Sequence, residues 1–269
     1  MSEFHDVLTE AVADVAERGY VSPEFVAEWA RRLREAAERS LTPPHILEEG
    51  LKRTFGIAYR RLIEKAQILK HHAGIPRFTF ERLKPTLRRE LDRRIMASAN
   101  LIKLNREAAI QKTLQRFQGW ATSVPPGGSD IVSRRKVKSD VRKALASLPF
   151  EERRVAIDQG HKFAADLSHV IATDGGAIAG IWQHHHVRYP RAEHVARDGD
   201  IFLIRDCWAH AQGLAKAQDE AAYTDRIERP GELVYCRCSY QWIYNLRDLP
   251  PDMLTAKGRE SLARVKAVA

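Results

Sequence analysis

The segment from Glu81 to Gln118 restricts the fold more than any other part of the chain. Large apolar residues recur there at Leu83, Leu87, Leu91, Ile95 and Ile102. This spacing places them on one face of an α-helix, and Pro85 falls in the first turns, where proline is tolerated. We therefore expect one helix of roughly 35 residues or more, or two helices broken near residues 98–100.

Helical patterns also cover most of the chain on both sides of this segment. Amphipathic helices are predicted for residues 4–18, 22–40, 42–74, 131–147, 150–173 and 251–268. Ser22 followed by Pro23 is a typical helix start, with a hydroxyl cap and proline at the first helical position. Pro149 is expected to separate the helices on either side of it.

Three short segments read as β-strands, at residues 177–182, 201–204 and 233–244, because branched and aromatic residues dominate them. The polar segment 205–229 between them is expected to be a long loop or a short helix. The predicted fold class is α+β and mostly α-helical. An elongated helical N-terminal region is followed by a small C-terminal α+β domain with a few strands.

The clearest linker is the stretch from Ser123 to Asp130, which is rich in proline and glycine. We place the domain boundary there. Residues 1–124 then form a basic helical region suited to docking on another protein, and residues 125–269 form the α+β domain with its C-terminal helix.

Composition excludes several classes of protein. The chain has 269 residues and is 44% hydrophobic, which supports a packed core. It has no apolar run of about 18 residues, so no transmembrane helix is expected, and its acidic first residues do not resemble a secretory signal. Three cysteines, two of them separated by one residue, do not make a disulfide framework and fit a reducing cytoplasm.

The chain carries a net charge of +9, and its cations are spread over predicted helices. Contact with DNA or with an acidic partner is one interpretation of these clusters, and a solvated helix face is the other. The candidate contact residues are Arg88, Arg89, Arg93, Arg94, Arg134, Arg135, Lys136 and Lys138.

The residues most suited to chemistry crowd between Trp182 and Cys238. Cys236 and Cys238 offer two thiolates and His194 an imidazole, a set that zinc binds with a fourth ligand. The candidates for that fourth ligand are His184, His185, His186, His210 and Cys207. In an extended strand, the two cysteine side chains would lie about 6.5–7 Å apart on one face, so a metal site requires a bulge or a turn there.

Other interpretations of these residues stay open. Cys236 and Cys238 could be small buried apolar residues, with Arg237 facing outward and His194 bound to a loop carbonyl. Arg191 could bind phosphate beside Tyr189, or could fix a loop by pairing with Asp198 or Glu193. Of these two roles, we expect Arg191 to fix the loop rather than to bind phosphate.

Two enzymatic hypotheses find no local signature in support. A nucleophilic pair of Cys207 or Cys236 with His194 would need an orienting acid, which almost any nearby aspartate could supply. A nuclease built on the histidine triplet would need a metal motif, but neighbouring residues in a strand point to opposite faces. We expect a protein that is not an enzyme, with no catalytic residue.

One ordered set of residues resembles a known family. It comprises Trp182, Arg191, His194, Gly199, a Pro-Gly-Glu at residues 230–232, and Cys236-Arg237-Cys238. This set resembles the C-terminal domain of MuF-type minor head proteins, the phage Mu F-like head morphogenesis family of tailed phages. The segment with Asp158 and Lys162 also resembles the helix that precedes it, and the resemblance covers roughly residues 150–246. The family often has an acidic residue between the tryptophan and the arginine, and residues 183–190 have none, so no role of that acid is carried over.

The resemblance implies a structural virion protein that acts in head morphogenesis and in DNA packaging or ejection. Its implied partners are the portal protein, the major capsid protein or both, with packaged double-stranded DNA nearby and no membrane. The implied location is the head interior or the portal vertex, after assembly in the host cytoplasm. No cofactor is expected, and zinc is the one candidate. The alternative is a free DNA-binding protein with a zinc-stapled C-terminal domain.

Overall fold

The structure is a computed structural model that describes residues 2–131, 133–185 and 188–268. Its helices are α1 (Ser2–Arg18), α2 (Pro23–Ser40), α3 (Pro44–Tyr59), α4 (Arg77–Ala121), α5 (Arg134–Gly175), α6 (Ala192–Ala196), α7 (Trp208–Ala211) and α8 (Ala256–Val268). The strands are β1 (Ala179–Gln183), β2 (Ile201–Leu203) and β3 (Ser239–Ile243), which form an antiparallel sheet in the order β2-β1-β3. The expected class, α+β and mostly α-helical, is confirmed.

Helix α4 is continuous over 45 residues, so the alternative of a break near residues 98–100 is wrong. The expected break at Pro149 is also wrong, because α5 runs through that proline over 42 residues. Leu145 and Leu148 are buried before the proline, and Phe163 is buried after it. Apolar burial on both sides of Pro149 therefore outweighs the loss of one backbone hydrogen bond.

The helix predicted from residue 42 to residue 74 is shorter in the structure. Helix α3 ends at Tyr59 and is followed by a π-helical turn, Arg60–Glu64, and by a 3-10 helix, Gln67–His71. Ala66 between them has a φ of 53°, a left-handed conformation that cannot continue a right-handed helix. Beyond Tyr59 the buried apolar residues of this segment are therefore Ile63 and Ile68, and Leu62 and Leu69 are only partly buried.

The chain forms two compact units, and three of its helices contribute residues to both. The first unit contains Met1–Lys52 and Met96–Ala156, and the second contains Arg53–Ile95 and Ile157–Ala269. The boundary expected at residues 124 and 125 does not separate them, since Val124 and Val141 share one core.

The turn after α4 explains this difference from the expected boundary. The backbone N–H of Gly127 donates to the carbonyl of Arg18 at 3.1 Å, and that of Ser129 donates to the carbonyl of Ala16 at 2.8 Å. The proline- and glycine-rich stretch is therefore bonded to the end of α1. It works as a structured reversal inside the first unit and not as a free linker.

The second unit holds the sheet and the long connection between β2 and β3. Gly180 of β1 lies opposite Trp242 of β3, and Trp182 lies opposite Tyr240. A Cβ atom on Gly180 would approach the Tyr240 ring to 2.8 Å, so the aromatic side chains pack directly over the glycine backbone. In the described part of the chain, no helix has the length and apolar composition needed to cross a membrane.

Candidate metal centre

Three potential ligand atoms meet in the second unit, at the edge of the sheet. Nδ1 of His194 lies 3.5 Å from the sulfur of Cys236 and 3.5 Å from the sulfur of Cys238. All three residues are buried, and their ligand atoms lie within 4.8 Å of one another. One imidazole and two thiols at this spacing could hold a metal ion between them.

A turn brings the two cysteine sulfurs together. Residues 233–238 are not part of β3, so the strand predicted over residues 233–244 is too long. Tyr235 has a φ of 60°, and its backbone N–H donates to Oδ1 of Asp158 at 2.5 Å. The requirement for a turn at the Cys-x-Cys segment is therefore met, because a buried aspartate from α5 stabilises a conformation that an extended strand cannot adopt.

The other ring nitrogen of His194 faces a carboxylate. Nε2 lies 3.2 Å from Oε1 of Glu228, which also accepts a hydrogen bond from Arg197 at 2.8 Å. The guanidinium of Arg197 lowers the pKa of Glu228, so this carboxylate is ionised and accepts hydrogen bonds. The hydrogen-bond pattern assigns the ring proton to Nε2 and leaves the Nδ1 lone pair directed at the sulfurs. This carboxylate–histidine arrangement supports many metal-binding histidines.

The two thiols are coupled through a hydrogen bond between them. Cys238 donates to the sulfur of Cys236, which lowers the pKa of Cys236 to about 5 and raises that of Cys238. The backbone N–H of Gly231 also donates to the Cys236 sulfur at 3.3 Å. Donors to sulfur of this kind favour the thiolate form of Cys236.

Trp182 and Gly199 support His194 from the sheet. The Trp182 ring meets the imidazole edge-on, with centroids 5.2 Å apart, and its carbonyl accepts the Gly199 N–H at 2.9 Å. Gly199 has a φ of 89°, which favours glycine. The indole N–H of Trp182 is buried without a hydrogen-bond partner among the described residues.

Arg191 fixes a loop, but not through the acids that the sequence suggests. Its guanidinium donates to the carbonyl of Val234 at 2.9 Å, so the expected ion pair with Asp198 or Glu193 is wrong. Asp198 instead accepts the backbone N–H of His184 at 2.8 Å.

The other candidate ligands do not add a side-chain atom to this cluster in the described part of the chain. His185 contacts the Ser239 hydroxyl through Nε2 at 3.0 Å. Cys207 packs in a different core cluster, and His210 contacts the hydroxyl of Tyr223. His186 lies outside the described residues. In the described part of the chain, His194 is therefore brought together with Cys236 and not with Cys207. Its ring nitrogens contact sulfur and carboxylate atoms, so the alternative with a loop carbonyl is also wrong.

Some of the basic residues are part of the fold. Arg94 pairs with Asp166 and donates to Gln159, and Arg93 pairs with Glu90 and Asp166. These contacts hold Arg94 within the second unit, whereas the side chain of Arg93 stays exposed beside its acidic partners. Other candidates are exposed, namely Arg88, Arg89, Arg134, Arg135 and Lys136. Lys138 is partly buried, and its ammonium lies 3.4 Å from the Thr9 hydroxyl.

Sequence reasoning does not predict the residues that support the three ligands. Asp158 and Glu228 both form hydrogen bonds to the site, yet neither has a spacing that indicates it. The available signals are weak. Asp158 lies four residues before Lys162, with which it pairs, and Glu228 lies just before the Pro-Gly pair.

No protein-family model, no curated protein and no solved structure matches this chain. What the cluster can do therefore follows from its donor set, one imidazole nitrogen and two sulfurs, which is typical of zinc sites.

Proposed function

We propose that this chain is a structural minor head protein of a tailed phage, associated with the portal or the inside of the capsid. The observation that carries the proposal is the convergence of one motif. The residues that resemble the MuF-type family are Trp182, Arg191, His194, Gly199, Cys236 and Cys238. Each contacts either another member of this set or the turn that carries the cysteines. Chance matches to a family motif would not be expected to assemble in this way.

In this proposal the cluster holds a zinc ion through Nδ1 of His194 and the sulfurs of Cys236 and Cys238. The carboxylate behind His194 and the Gly231 N–H at Cys236 both support the fit to zinc. The ion would join α6 to the loop before β3. These are short elements with little core of their own, and zinc stabilises small domains of this kind. No residue has a catalytic role.

Docking on another virion protein is assigned to the long helices. Helix α4 leaves three large apolar side chains exposed in the first unit, Met96, Leu101 and Leu104. Apolar side chains on an otherwise charged helix are suited to burial against a protein partner. The proposed partner is the portal protein or the major capsid protein.

A second candidate is a free DNA-binding protein with the same zinc-stapled domain. The observation that favours it is the start of α5, where Arg134, Arg135 and Lys136 are exposed in the first turn. Positive charge at a helix N-terminus opposes the helix dipole, so an anionic partner would offset this cost. DNA phosphates would provide such a partner with little dependence on sequence.

Co-sedimentation with portal assemblies distinguishes the two candidates. The intact chain is mixed with portals at low and at high salt, with and without DNA. The matched control is a triple variant with Arg134→Gln, Arg135→Gln and Lys136→Gln. A head component should bind portals without DNA, at high salt and in the triple variant. Binding that needs DNA, and that salt and the triple variant both abolish, would replace the proposal with the DNA-binding function.

A further inference from the structure

A cavity of about 570 Å³ lies in the second unit, next to the Cys-x-Cys turn. Its walls come from the end of α3, the segment through Gln67–His71, residues 161–169 of α5, and the chain from Arg229 to Trp242. This volume falls in the range of about 300–1,000 Å³ that is typical of small-molecule sites. Cys236 and Cys238 line one part of it, but the proposed head function does not account for the rest of the cavity.

Positive charge exceeds negative charge around the cavity. Four cationic side chains line it, from Arg61, Lys70, Arg229 and Arg237, against two carboxylates, from Asp166 and Glu232. These carboxylates are already engaged. Asp166 pairs with two arginines of α4, and Glu232 accepts the backbone N–H of Arg229. No ion pair involves the side chains of Arg229 and Arg237 in the described part of the chain. An anion in the cavity would therefore find guanidinium groups ready to bind it.

Burial and nearby positive charges lower the pKa values of two histidines around the cavity. Burial lowers the pKa of His169, and the charge of Arg229 lowers it further. Burial also lowers the pKa of His71, and the positive charge of Lys70 lowers it further. Both imidazoles are thus neutral near pH 7. His169 can donate one N–H to an anion without adding a charge, whereas His71 hydrogen-bonds to Gln241.

The remaining wall is apolar. Ile57, Leu62 and Ile68 line the cavity from the helical side, and Trp242 lines it from the sheet. Tyr240 also lines it, and its buried hydroxyl has no hydrogen-bond partner among the described residues. A ligand that fits these walls combines an anionic group with an apolar body.

We propose that this cavity binds a nucleotide-sized phosphate ester, with its phosphate at Arg229 and Arg237 and its apolar part against the wall around Ile57 and Leu62. Phosphate fits better than a carboxylate because its three oxygens can accept from two guanidinium groups and from an imidazole at once. The inference goes beyond head assembly and requires neither a portal partner nor bound zinc. A free nucleotide and the end of a DNA strand share this chemistry.

Calorimetric titration of the intact chain tests the proposal. The probes are thymidine 5′-monophosphate, thymidine, inorganic phosphate, and a short oligothymidylate with and without a 5′-phosphate. The monophosphate should bind more tightly than thymidine or inorganic phosphate, because only it contains both parts. A phosphorylated strand that binds at least as tightly as the monophosphate would identify a strand end as the ligand. A monophosphate that binds more tightly than the strand would identify a free nucleotide.

Three variants locate the binding. Arg237→Gln should weaken monophosphate binding by about tenfold or more, since a charge-assisted hydrogen bond is lost. Ala164→Leu should block the cavity, which Ala164 lines. Arg247→Gln is the matched control, because this exposed arginine of the same unit does not line the cavity and should leave affinity unchanged.

Thermal unfolding shows whether each variant is folded like the parent protein, and elemental analysis shows whether it holds the same amount of metal. Equal affinity for inorganic phosphate and the monophosphate would overturn the proposal. Binding that neither Arg237→Gln nor Ala164→Leu changes, or no binding of any probe, would overturn it as well.

Discussion

Oε1 of Glu228 lies 3.2 Å from Nε2 of His194, on the side of the ring away from the two cysteine sulfurs. The carboxylate thus fixes both the orientation and the tautomer of a potential metal ligand without contacting the metal position itself. Arg197 keeps this carboxylate ionised and in place. The arrangement makes the metal proposal testable at a residue that is not a ligand.

Glu228→Gln should weaken zinc binding by about 10- to 100-fold, because the amide is a weaker acceptor for the imidazole N–H. Competition with a chromophoric chelator measures the affinity. Glu193→Gln is the control, since Glu193 is exposed and lies next to His194 in sequence. Equal affinities of the two variants would show that Glu228 does not support a metal ligand.

Cys236→Ser should remove bound zinc, whereas Cys207→Ser should keep it. Both cysteines are buried, but only Cys236 lies with His194 and Cys238. The serine hydroxyl at position 207 can still accept the His210 N–H that caps α7. Elemental analysis of the purified variants gives the zinc content. Zinc retained by Cys236→Ser, or absent from the parent protein, would contradict the site.

Asp158→Ala should destabilise the second unit by about 1–3 kcal/mol, since the Tyr235 N–H loses its acceptor. The substitution also leaves Lys162 without the carboxylate that it pairs with. Urea unfolding measures the change in the free energy of unfolding. Asp174→Ala, at an exposed position of the same helix, should cost much less. Similar costs for the two variants would mean that the turn does not depend on Asp158.

Gly231→Ala should be more damaging than Gly213→Ala. Both glycines have positive φ, 83° and 66°, but only at Gly231 would an added Cβ meet another atom closely, the Ala165 Cβ at 2.6 Å. Because both substitutions strain the backbone, the difference between their losses of stability measures the steric clash alone. Overpacking of this kind costs about 1–3 kcal/mol. Denaturant unfolding of both variants measures it. Equal losses would indicate that α5 moves to make room.

Stability should fall below about pH 6 through His72. Burial lowers the pKa of His72 to about 3, against about 6.5 in an unfolded chain. Between these values the unfolded chain takes up a proton that the folded chain does not, so the free energy of unfolding decreases as the pH falls. The slope approaches about 1.4 kcal/mol per pH unit. His72→Gln should lose this component when unfolding is measured between pH 4 and 7, and identical slopes would contradict the assignment.

The helices could be predicted from sequence because their apolar periodicity is local information. Leu83, Leu87 and Leu91 are all buried in α4, as their spacing indicates. Pro149 shows where this reasoning fails, since packing on both sides carries the helix through a residue that disfavours it. The donor set was also predictable, because cysteine and histidine are recognisable ligands wherever they occur.

The geometry of the site could not be predicted in the same way. The alternation of residues 233–244 favours a strand, and the hydrogen bond that overrides this preference comes from Asp158, far away in sequence. The partner of Arg191 is a backbone carbonyl, and every residue has one, so no side-chain pattern could reveal it. The sequence thus identifies the groups that meet, but the contacts between distant segments decide how they meet.

Tyr235 has a left-handed backbone conformation, so residues 233–238 form a turn and not a strand. A metal ion can bind the two cysteines only in the turn. If residues 233–238 were extended, they would continue β3 beyond the end of β1, and the two sulfurs would lie too far apart to share an ion. In the turn, the sulfurs converge and the sheet ends at Ser239. The same residues could thus adopt either of two backbone conformations. An ion bound at the cysteines would stabilise the turn, and with it the shorter β3.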